Sequence, residues 1–427
     1  MPLRQASSKR SGRIEPRQLH HHASFQDGFL RLAGCVPEVD VAAVEANAGK
    51  PILSLEQVAA SGAQIAAFSE LGAMRLAGSY HLQVAATEDD DPSAWDAFLV
   101  KVPRAPYQQS SLWAKVKAGQ GWRSARMTVT RDGSIHAGAQ LLYRAIPLAG
   151  AVGFVVRGPI LASDDPALAA TAAEGLQQLA AACNVSYLIV QPTRGRVEVV
   201  APHLLRDGYR TAPEIMAPHH TTTGVLDLSQ GQAALRAAMR KSTRRNVRLA
   251  QRRGTIVREG GPADLPLFHS LLASTGRRRG FRPPPASFFE AAWTTMAPAG
   301  MLRMAVAEVD GEPVSAFFWV TYGDTMNCWR GGWSGEHRHG RPNEALEWAG
   351  IRWAAEQGLR WYDFQGYADY TQGFGGSRET SPGPLERVMS PLLRRMYPLA
   401  LQRMLDTQGI SWLKQIIRSR GWPGSLK

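Results

Sequence analysis

The chain has 427 residues, 44% of them hydrophobic and 20% charged, a composition typical of globular proteins and a length too great for one ordinary core. Its three cysteines are widely spaced and have no histidines at ligand spacing, which argues against a disulfide framework or a structural zinc site and favours a reducing compartment. The net charge of +13 is concentrated in three segments, which indicates a polyanionic partner such as nucleic acid or a phospholipid surface.

The N-terminal part of the chain gives the weakest structural signals. Residues 1–24 are basic and polar, and we expect them to be disordered. They contain no apolar stretch of the kind found in secretory signals, and no run of about 18 apolar residues occurs in the sequence. These features predict a cytoplasmic protein without a membrane span. Residues 25–80 contain short apolar pieces without a period, and we interpret them as an accessory segment of unknown role.

Two long stretches, residues 81–221 and 222–383, look like copies of one domain. Each begins with a turn and a helix, and each has an Asp-Gly turn before an alternating strand, at 132–133 and at 310–311. Each then has an Ala-rich helix that leads into a short apolar strand, and the copies are 175 to 178 residues apart. A helix, meandering strands, a second helix and a further strand form an α+β order, so we predict two tandem α+β domains.

A strongly basic helix is predicted at the start of the second domain, because residues 236–253 hold eight Lys or Arg residues and no acidic residue. Its basic face consists of Arg240, Lys241, Arg244, Arg245, Arg248 and Arg252. Its apolar face consists of Leu235, Met239, Val247 and Ala250. Like charges at this spacing destabilise an isolated helix, and an RNA backbone would relieve the repulsion. The alternative is a basic face that is only solvated.

The C-terminal tail, residues 384–427, carries eight basic and two acidic residues. Its pattern predicts one or two basic amphipathic helices, interrupted by Pro398 and Gly409. Such a segment is typical of proteins that touch an anionic membrane surface, and peripheral membrane contact is one interpretation of it.

Several short motifs follow one another along both domains. The first domain contains Tyr107-Gln108-Gln109-Ser110, then Trp113, Lys115 and Lys117, and later Arg157-Gly158-Pro159. The second contains Thr275-x2-Arg278-x-Gly280-Phe281, Trp329-Arg330-Gly331-Gly332, Arg341-Pro342-Asn343, Tyr362-Asp363-Phe364 and Phe374-Gly375-Gly376. Over residues 81 to 380, this series resembles the Fem (FemABX) family of peptidoglycan-bridge aminoacyl-tRNA-dependent transferases.

The resemblance implies a fold of two tandem GNAT-like acyltransferase domains. It also implies transfer of an amino acid from aminoacyl-tRNA to an amine of a nucleotide- or lipid-linked peptide precursor, and we predict neither a metal nor a cofactor. The acceptor would be bound by Trp113, Lys115, Lys117, Arg278, Phe281, Trp329 and Arg330. The tRNA would be bound by Arg240, Lys241, Arg244, Arg245, Arg248 and Arg252.

One departure from the family pattern affects the chemistry. A Phe-Lys dipeptide, whose lysine is implicated in transfer in the family, is replaced here by Tyr370-Thr371. A neutral hydroxyl cannot give a developing oxyanion the positive charge of a lysine. We therefore assign candidate catalytic roles to Thr371 and Arg378, with Arg330 as another available cation. Asp363, at a strand end, is a candidate proton acceptor.

Two other functions remain open from the sequence. The first is N-acylation from acyl-CoA in cell-envelope polysaccharide or secondary metabolism, and an aminoacyl acceptor could equally be a peptide natural product. The turn that binds the CoA pyrophosphate in GNAT domains is missing, however, and residues 338–342 occupy its place with a proline. The second is a non-catalytic Fem-like protein that binds a lipid-linked precursor or a membrane.

Overall fold

The computed structural model describes residues 80–85, 92–146, 150–193, 197–212 and 217–389. The predicted disordered start, nearly all of the accessory segment and most of the basic tail lie outside these residues. No helix in the described ranges combines the length and the apolar character needed to cross a bilayer.

The helices, in chain order, are α1 (Ser93–Lys101), α2 (Ser111–Ala118), α3 (Pro166–Ala182), α4 (Val197–Arg206), α5 (Gly231–Ala238), α6 (Lys241–Arg252), α7 (Leu265–Arg279), α8 (Ala286–Met296), α9 (Pro342–Glu356) and α10 (Asp369–Gln372). The strands are β1 (His81–Ala85), β2 (Arg123–Arg131), β3 (Ser134–Ile146), β4 (Gly150–Val156), β5 (Ile160–Leu161), β6 (Val185–Gln191), β7 (Arg210–Thr211), β8 (Thr222–Asp227), β9 (Ile256–Gly260), β10 (Leu302–Val309), β11 (Glu312–Tyr322), β12 (Thr325–Trp333), β13 (Trp361–Asp363), β14 (Ser377–Thr380) and β15 (Leu385–Val388).

The strands form two mixed sheets. The first has the order β1-β2-β3-β4-β6-β15-β7, with β5 paired to β3, and the second has the order β14-β8-β13-β12-β11-β10-β9. In each sheet one central pair is parallel, β4 with β6 and β12 with β13, because a long helix connects those two strands. These helices are α3 and α9, the two Ala-rich helices predicted from the sequence. The predicted tandem α+β architecture is confirmed.

The two Asp-Gly turns form tight hairpins, as predicted. Asp132 and Gly133 have φ values of 51° and 72°, and Asp310 and Gly311 have values of 56° and 82°. Two consecutive residues with positive φ are characteristic of the hairpin turn that matches the twist of the flanking strands. The hairpins β2–β3 and β10–β11 therefore begin each sheet's meander in register.

The basic helix is interrupted, contrary to the prediction of one continuous element. α5 ends at Ala238, and Met239 and Arg240 are extended, with ψ values of 145° and 146°, before α6 begins at Lys241. The break has a packing reason, since Met239 is only 3% exposed and the Arg240 amide donates to the Gly373 carbonyl. Arg240 therefore lies at the N-cap of α6 instead of on its basic face.

The start of the C-terminal tail is a strand, so the expected helical tail from residue 384 is wrong at its beginning. Residues Leu385–Val388 form β15, which pairs antiparallel with β6 and also with β7. Glu386 is 7% exposed and accepts hydrogen bonds from the Tyr187 hydroxyl and from Arg210 Nε, the latter at 2.7 Å. The remainder of the tail lies outside the described residues.

The two halves of the described chain share one hydrophobic cluster. Trp113 of α2 contacts Phe288 of α8 and Trp329 of β12, with ring centroids 6.2 Å and 5.9 Å apart. Arg104 adds polar links, because its guanidinium pairs with Glu379 at 2.8 Å and lies 4.8 Å from the Trp361 ring centroid. Apolar burial over this area stabilises a fixed arrangement of the two sheets.

Candidate active site

The candidate site begins where β12 and β13 separate. The two strands pair only from Thr325–Trp361 to Asn327–Asp363, and β12 then continues through Arg330 without β13 beside it. Arg330 is exposed, yet desolvation lowers the pKa of its guanidinium. A side chain that reaches solvent while surrounded by protein lies in a concave space. The opening between β12 and β13 is therefore a cleft.

An aromatic wall with one lysine lines the side of this cleft nearest the first domain. Trp113 and Trp329 are 9% and 4% exposed, and Lys117 Nζ lies 5.6 Å and 5.7 Å from the ring centroids of Trp122 and Phe288. Burial, followed by repulsion from Arg144 and Arg330, lowers the pKa of Lys117 to about 7. An anionic group entering here would favour the charged amine and would be bound by it.

A carboxyl group lies buried behind the opposite side of the cleft. Glu347 of α9 is 2% exposed, and its Oε1 accepts a hydrogen bond from the Tyr362 hydroxyl at 2.6 Å. Burial raises the pKa of Glu347 to about 7, although hydrogen bonds from Tyr362, Cys328 and Tyr370 act in the other direction. Tyr362 is itself fixed by the Trp319 indole, which donates to its hydroxyl at 2.8 Å. Glu347 is thus poised to take up a proton near neutral pH.

Tyr370 connects this buried carboxyl group to a cavity. The Tyr370 side chain is 37% exposed and lines a cavity of about 240 Å³. Its hydroxyl hydrogen-bonds with Glu347 and lies 2.9 Å from the Asn343 carbonyl oxygen. The other lining residues are Arg240, Ser242, Thr243, Asn246, Glu344, Asp369 and Phe374. The cavity therefore joins the first turn of α6 to the hydroxyl that hydrogen-bonds with Glu347.

The basic face of α6 starts at this cavity. Lys241, Arg245, Arg248 and Arg252 are exposed, and Arg244 is partly exposed with its guanidinium 3.2 Å from the Ala237 carbonyl oxygen. Within the described ranges, none of these five side chains forms an ion pair with a carboxylate. Arg240 differs from them, because it pairs with Asp369 at 2.5 Å and also bonds Gln372. The apolar residues Leu235, Met239, Val247 and Ala250 are buried, as predicted.

The three predicted catalytic residues occupy different places. Asp363 is 3% exposed and accepts hydrogen bonds from Thr223 Oγ1 at 2.6 Å and the Gln365 amide at 2.7 Å, so it fixes the end of β13. Thr371 caps α10 through its hydrogen bonds with Ala368. Arg378 lies on the edge strand β14, 5.4 Å from the Tyr367 ring. The cleft itself contains Arg330.

Arg278 holds the segment that follows β12. Its guanidinium donates to the carbonyl oxygens of Trp333 and Ser334 at 2.5 Å and 2.6 Å, and it lies 4.9 Å from the Trp333 ring centroid. Phe281, also predicted to bind the acceptor, packs beside the shared hydrophobic cluster. Lys115 is exposed on α2. In this structure the Arg278 fork binds backbone carbonyls, and a phosphate would have to compete with them.

Replacing Arg278 tests these two roles. We expect Arg278→Ala to lower the free energy of unfolding by about 1–2 kcal/mol, since hydrogen bonds from a charged group to the loop are removed at an exposed position. The neighbouring exposed substitution Arg279→Ala should change it by less than about 0.5 kcal/mol. Urea denaturation of both variants measures the difference. Unchanged stability together with a raised KM for the acceptor would instead assign Arg278 to phosphate binding.

Several residues of the site were not singled out from the sequence. Glu347 is hidden in an Ala-rich helix, and only the unusual placement of a carboxylate on its buried face, at i+4 from Asn343, could have indicated it. Gln108 belongs to a recognised motif, but its role was not predicted. Its side-chain amide is 2% exposed, and neither polar atom finds a partner among the described residues. An amide in this state is suited to binding a substrate.

Comparison with known proteins places the chain. Residues 91–198 match the FemAB family, and residues 237–372 match the acetyltransferase (GNAT) domain. The chain belongs to the Fem family. This Fem-family chain has the fold of FemX, whose crystal structure superposes with a TM-score of 0.66 at 18% identity, covering 74% of this chain and 99% of FemX.

The curated relatives of this Fem-family chain carry one name. It is 26% identical over 234 residues to the lipid II:glycine glycyltransferase of Staphylococcus saprophyticus, covering 52% of this chain and 55% of the relative. It is 25% identical over 225 residues to the protein of that name from Staphylococcus aureus strain MRSA252, covering 50% and 53%. The chain thus spans about half the length of the curated relatives that it matches.

Proposed function

We propose that this chain transfers an aminoacyl group from aminoacyl-tRNA to an amine of a lipid-linked peptidoglycan precursor. The observation that carries the proposal is the position of the unpaired basic face of α6, which starts at the cavity lined by Tyr370. RNA bound along that face through its phosphates would direct its aminoacylated end into the cavity. The acceptor class follows from the names of the staphylococcal relatives. A nucleotide-linked precursor or a peptide natural product has the same reacting amine.

The reaction is a direct aminolysis of an ester. The acceptor amine attacks the carbonyl carbon of the aminoacyl ester, a C–N bond forms, and the bond to the ribose oxygen breaks. The amine must lose a proton, and the departing ribose oxygen must gain one. Positioning of the two substrates and stabilisation of the developing oxyanion provide the remaining acceleration.

Tyr370 and Glu347 are arranged to accept the amine proton. The exposed hydroxyl of Tyr370 would take the proton as it passes its own to the buried Glu347 carboxylate. A carboxyl group with a pKa of about 7 suits this transfer at neutral pH. For the oxyanion, we propose Arg330, which lies in the cleft, in preference to Arg378 on the outer strand.

The acceptor would approach from the aromatic wall. Lys117 offers an amine that becomes fully charged when an anion arrives, and Trp113 and Trp329 supply apolar surface beside it. The diphosphate of a lipid- or nucleotide-linked precursor is such an anion. A lipid-linked acceptor would place the reaction at the inner face of the membrane, where the basic tail would add peripheral contact.

The donor is tested by incubating the purified full chain with total tRNA charged with radiolabelled amino acids and with a lipid-linked precursor. We expect labelled amino acid to pass to the precursor, and we expect prior RNase treatment to abolish transfer. Deacylated tRNA with free labelled amino acid serves as the control and should give no product. Transfer that survives RNase and requires a CoA thioester would contradict the proposal.

Acyl-CoA is the second candidate donor, because the second domain matches the acetyltransferase (GNAT) domain. The start of α9 is poorly suited to a pyrophosphate, since its first residue is Pro342, which has no N–H, and Arg341 before it has a φ of 51°. An acetyl-CoA arm in the same assay decides between the donors.

A further inference from the structure

Two histidines and two carboxylates meet on the second domain, outside the residues assigned to the active site. Asp310 is in the turn between β10 and β11, and Glu312 begins β11. His337 and His339 lie in the segment between β12 and α9. Asp310, His337 and His339 each present one ligand atom, and these atoms all lie within 4.8 Å of one another.

The distances between these atoms match a tetrahedral zinc site. Asp310 Oδ2 is 3.2 Å from His339 Nε2 and 3.5 Å from His337 Nδ1. Zinc bonds to imidazole nitrogen and carboxylate oxygen are about 2.0–2.2 Å long, so two ligands of a tetrahedral ion are separated by about 3.3–3.6 Å. One ion can therefore touch all three atoms after small side-chain movements.

The fourth side chain holds one of the histidines in place. His337 Nε2 lies 3.1 Å from Glu312 Oε2, while its Nδ1 is the nitrogen that faces Asp310. His337 Nδ1 is buried and finds no hydrogen-bond partner in the described part of the chain. Metal-binding histidines commonly donate their second N–H to a carboxylate, which fixes the tautomer and the ring orientation.

The geometry points to a Zn²⁺ site formed by Asp310, His337 and His339, with Glu312 orienting His337. A water molecule would complete the tetrahedron. Imidazole and carboxylate ligands suit Zn²⁺ better than Mg²⁺ or Ca²⁺, which bind oxygen ligands. The sequence analysis predicted no metal because the ligands come from two stretches, with His337 25 residues after Glu312.

The site would fasten the β10–β11 turn to the segment that leads into α9. Arg278 already holds the beginning of that segment, at Trp333 and Ser334. The zinc would hold its middle, a few residues before Asn343 and Glu344 of α9. Metal binding would therefore stiffen the approach to the helix that carries Glu347.

The test uses the full chain with His20→Ala, His21→Ala and His22→Ala as the parent, because three consecutive histidines bind metals adventitiously. Equilibrium dialysis against Zn²⁺ should give one tightly bound ion, and Co²⁺ loaded in its place should show the strong visible absorption of tetrahedral coordination. His339→Ala and Asp310→Ala should lose the bound ion and the Co²⁺ spectrum. Glu312→Gln should weaken Zn²⁺ affinity about 10- to 100-fold.

The matched control is His203→Ala, which removes a histidine of α4 and should leave zinc binding unchanged. Zn²⁺ should also raise the melting temperature of the parent and of His203→Ala, with reversal by EDTA, but not that of His339→Ala. Circular dichroism verifies that each variant is folded. Equal Zn²⁺ affinity and stoichiometry in the parent and in folded His339→Ala would overturn the assignment, as would a Co²⁺ spectrum typical of six-coordination.

Discussion

Replacing Glu347 with glutamine is expected to lower kcat by about 10²- to 10⁴-fold, the range typical of a missing proton acceptor. The amide keeps the size of the carboxyl group and can still accept the hydrogen bond from Tyr362. It cannot take the proton that Tyr370 passes inward. KM for both substrates should change little, because Glu347 is buried behind the cleft and would not contact either of them.

The pH profile separates this role from a structural one. In the parent, kcat should rise with pH through about 7, as Glu347 loses its proton, and the glutamine variant should lack this rise. Glu356→Gln, on the exposed side of the same helix, should retain the parent's kcat and profile. A glutamine variant with normal kcat and an unchanged pH limb would remove Glu347 from the mechanism.

Stability provides an independent control on Glu347. Its pKa is raised in the folded state to about 7, so the protonated carboxyl group is the form that favours folding. This contribution is fully present below the unfolded pKa, near 4.3, and is lost as pH rises through about 7. Glu347→Gln should therefore be at least as stable as the parent at pH 8, which excludes unfolding as the cause of lost activity.

Reversing two charges on α6 should have the second large effect. Arg244→Glu with Arg248→Glu is expected to raise KM for aminoacyl-tRNA on the order of 10²-fold at low salt, because two attractive interactions with phosphates become repulsive. The log–log salt dependence of tRNA binding should flatten by roughly 0.7–0.9 for each phosphate that the variant no longer neutralises. Filter binding of charged tRNA between low and moderate salt measures both quantities. KM for the acceptor should not change.

The control for this double variant changes net charge equally at distant positions. Arg206→Glu with Arg352→Glu alters exposed residues of α4 and α9, and it should leave the salt dependence close to that of the parent. The α6 variant should remain folded, since the buried side of that helix consists of Thr243, Val247 and Ala250. Normal tRNA binding in the α6 variant would return its basic face to simple solvation.

Local sequence signals predicted the framework well. The Asp-Gly turns at 132–133 and 310–311 require a backbone that few other dipeptides adopt, so they located two hairpins. The Ala-rich helices and the apolar strands after them have strong periods. The break at Met239 could not be seen, because its cause is a hydrogen bond to Gly373, more than a hundred residues later. Likewise, β15 follows no pattern of its own and is a strand because β6 and β7 flank it.

The site was only partly predictable, for a related reason. The motifs correctly drew attention to Trp113, Lys117 and Arg330, whose residue types are unusual in a strand or helix of this kind. They could not show that the Lys117 amine is desolvated by Trp122 and Phe288, because burial depends on packing between the domains. Glu347 carries no signal in a helix where one carboxylate looks like any other, until its neighbours are known.

Strand β15 also constrains how the protein can be made. In the first sheet, β7 pairs only with β15, whose residues follow the whole second domain in the chain. During synthesis, β6 must therefore wait with an open edge until about 200 more residues have left the ribosome, since Val185–Gln191 precedes Leu385–Val388 by that distance. Neither half is a separable unit of inheritance: a gene fragment that ends before residue 385 encodes a first sheet without its last partner, and an exchange of second domains between relatives must carry this strand with it.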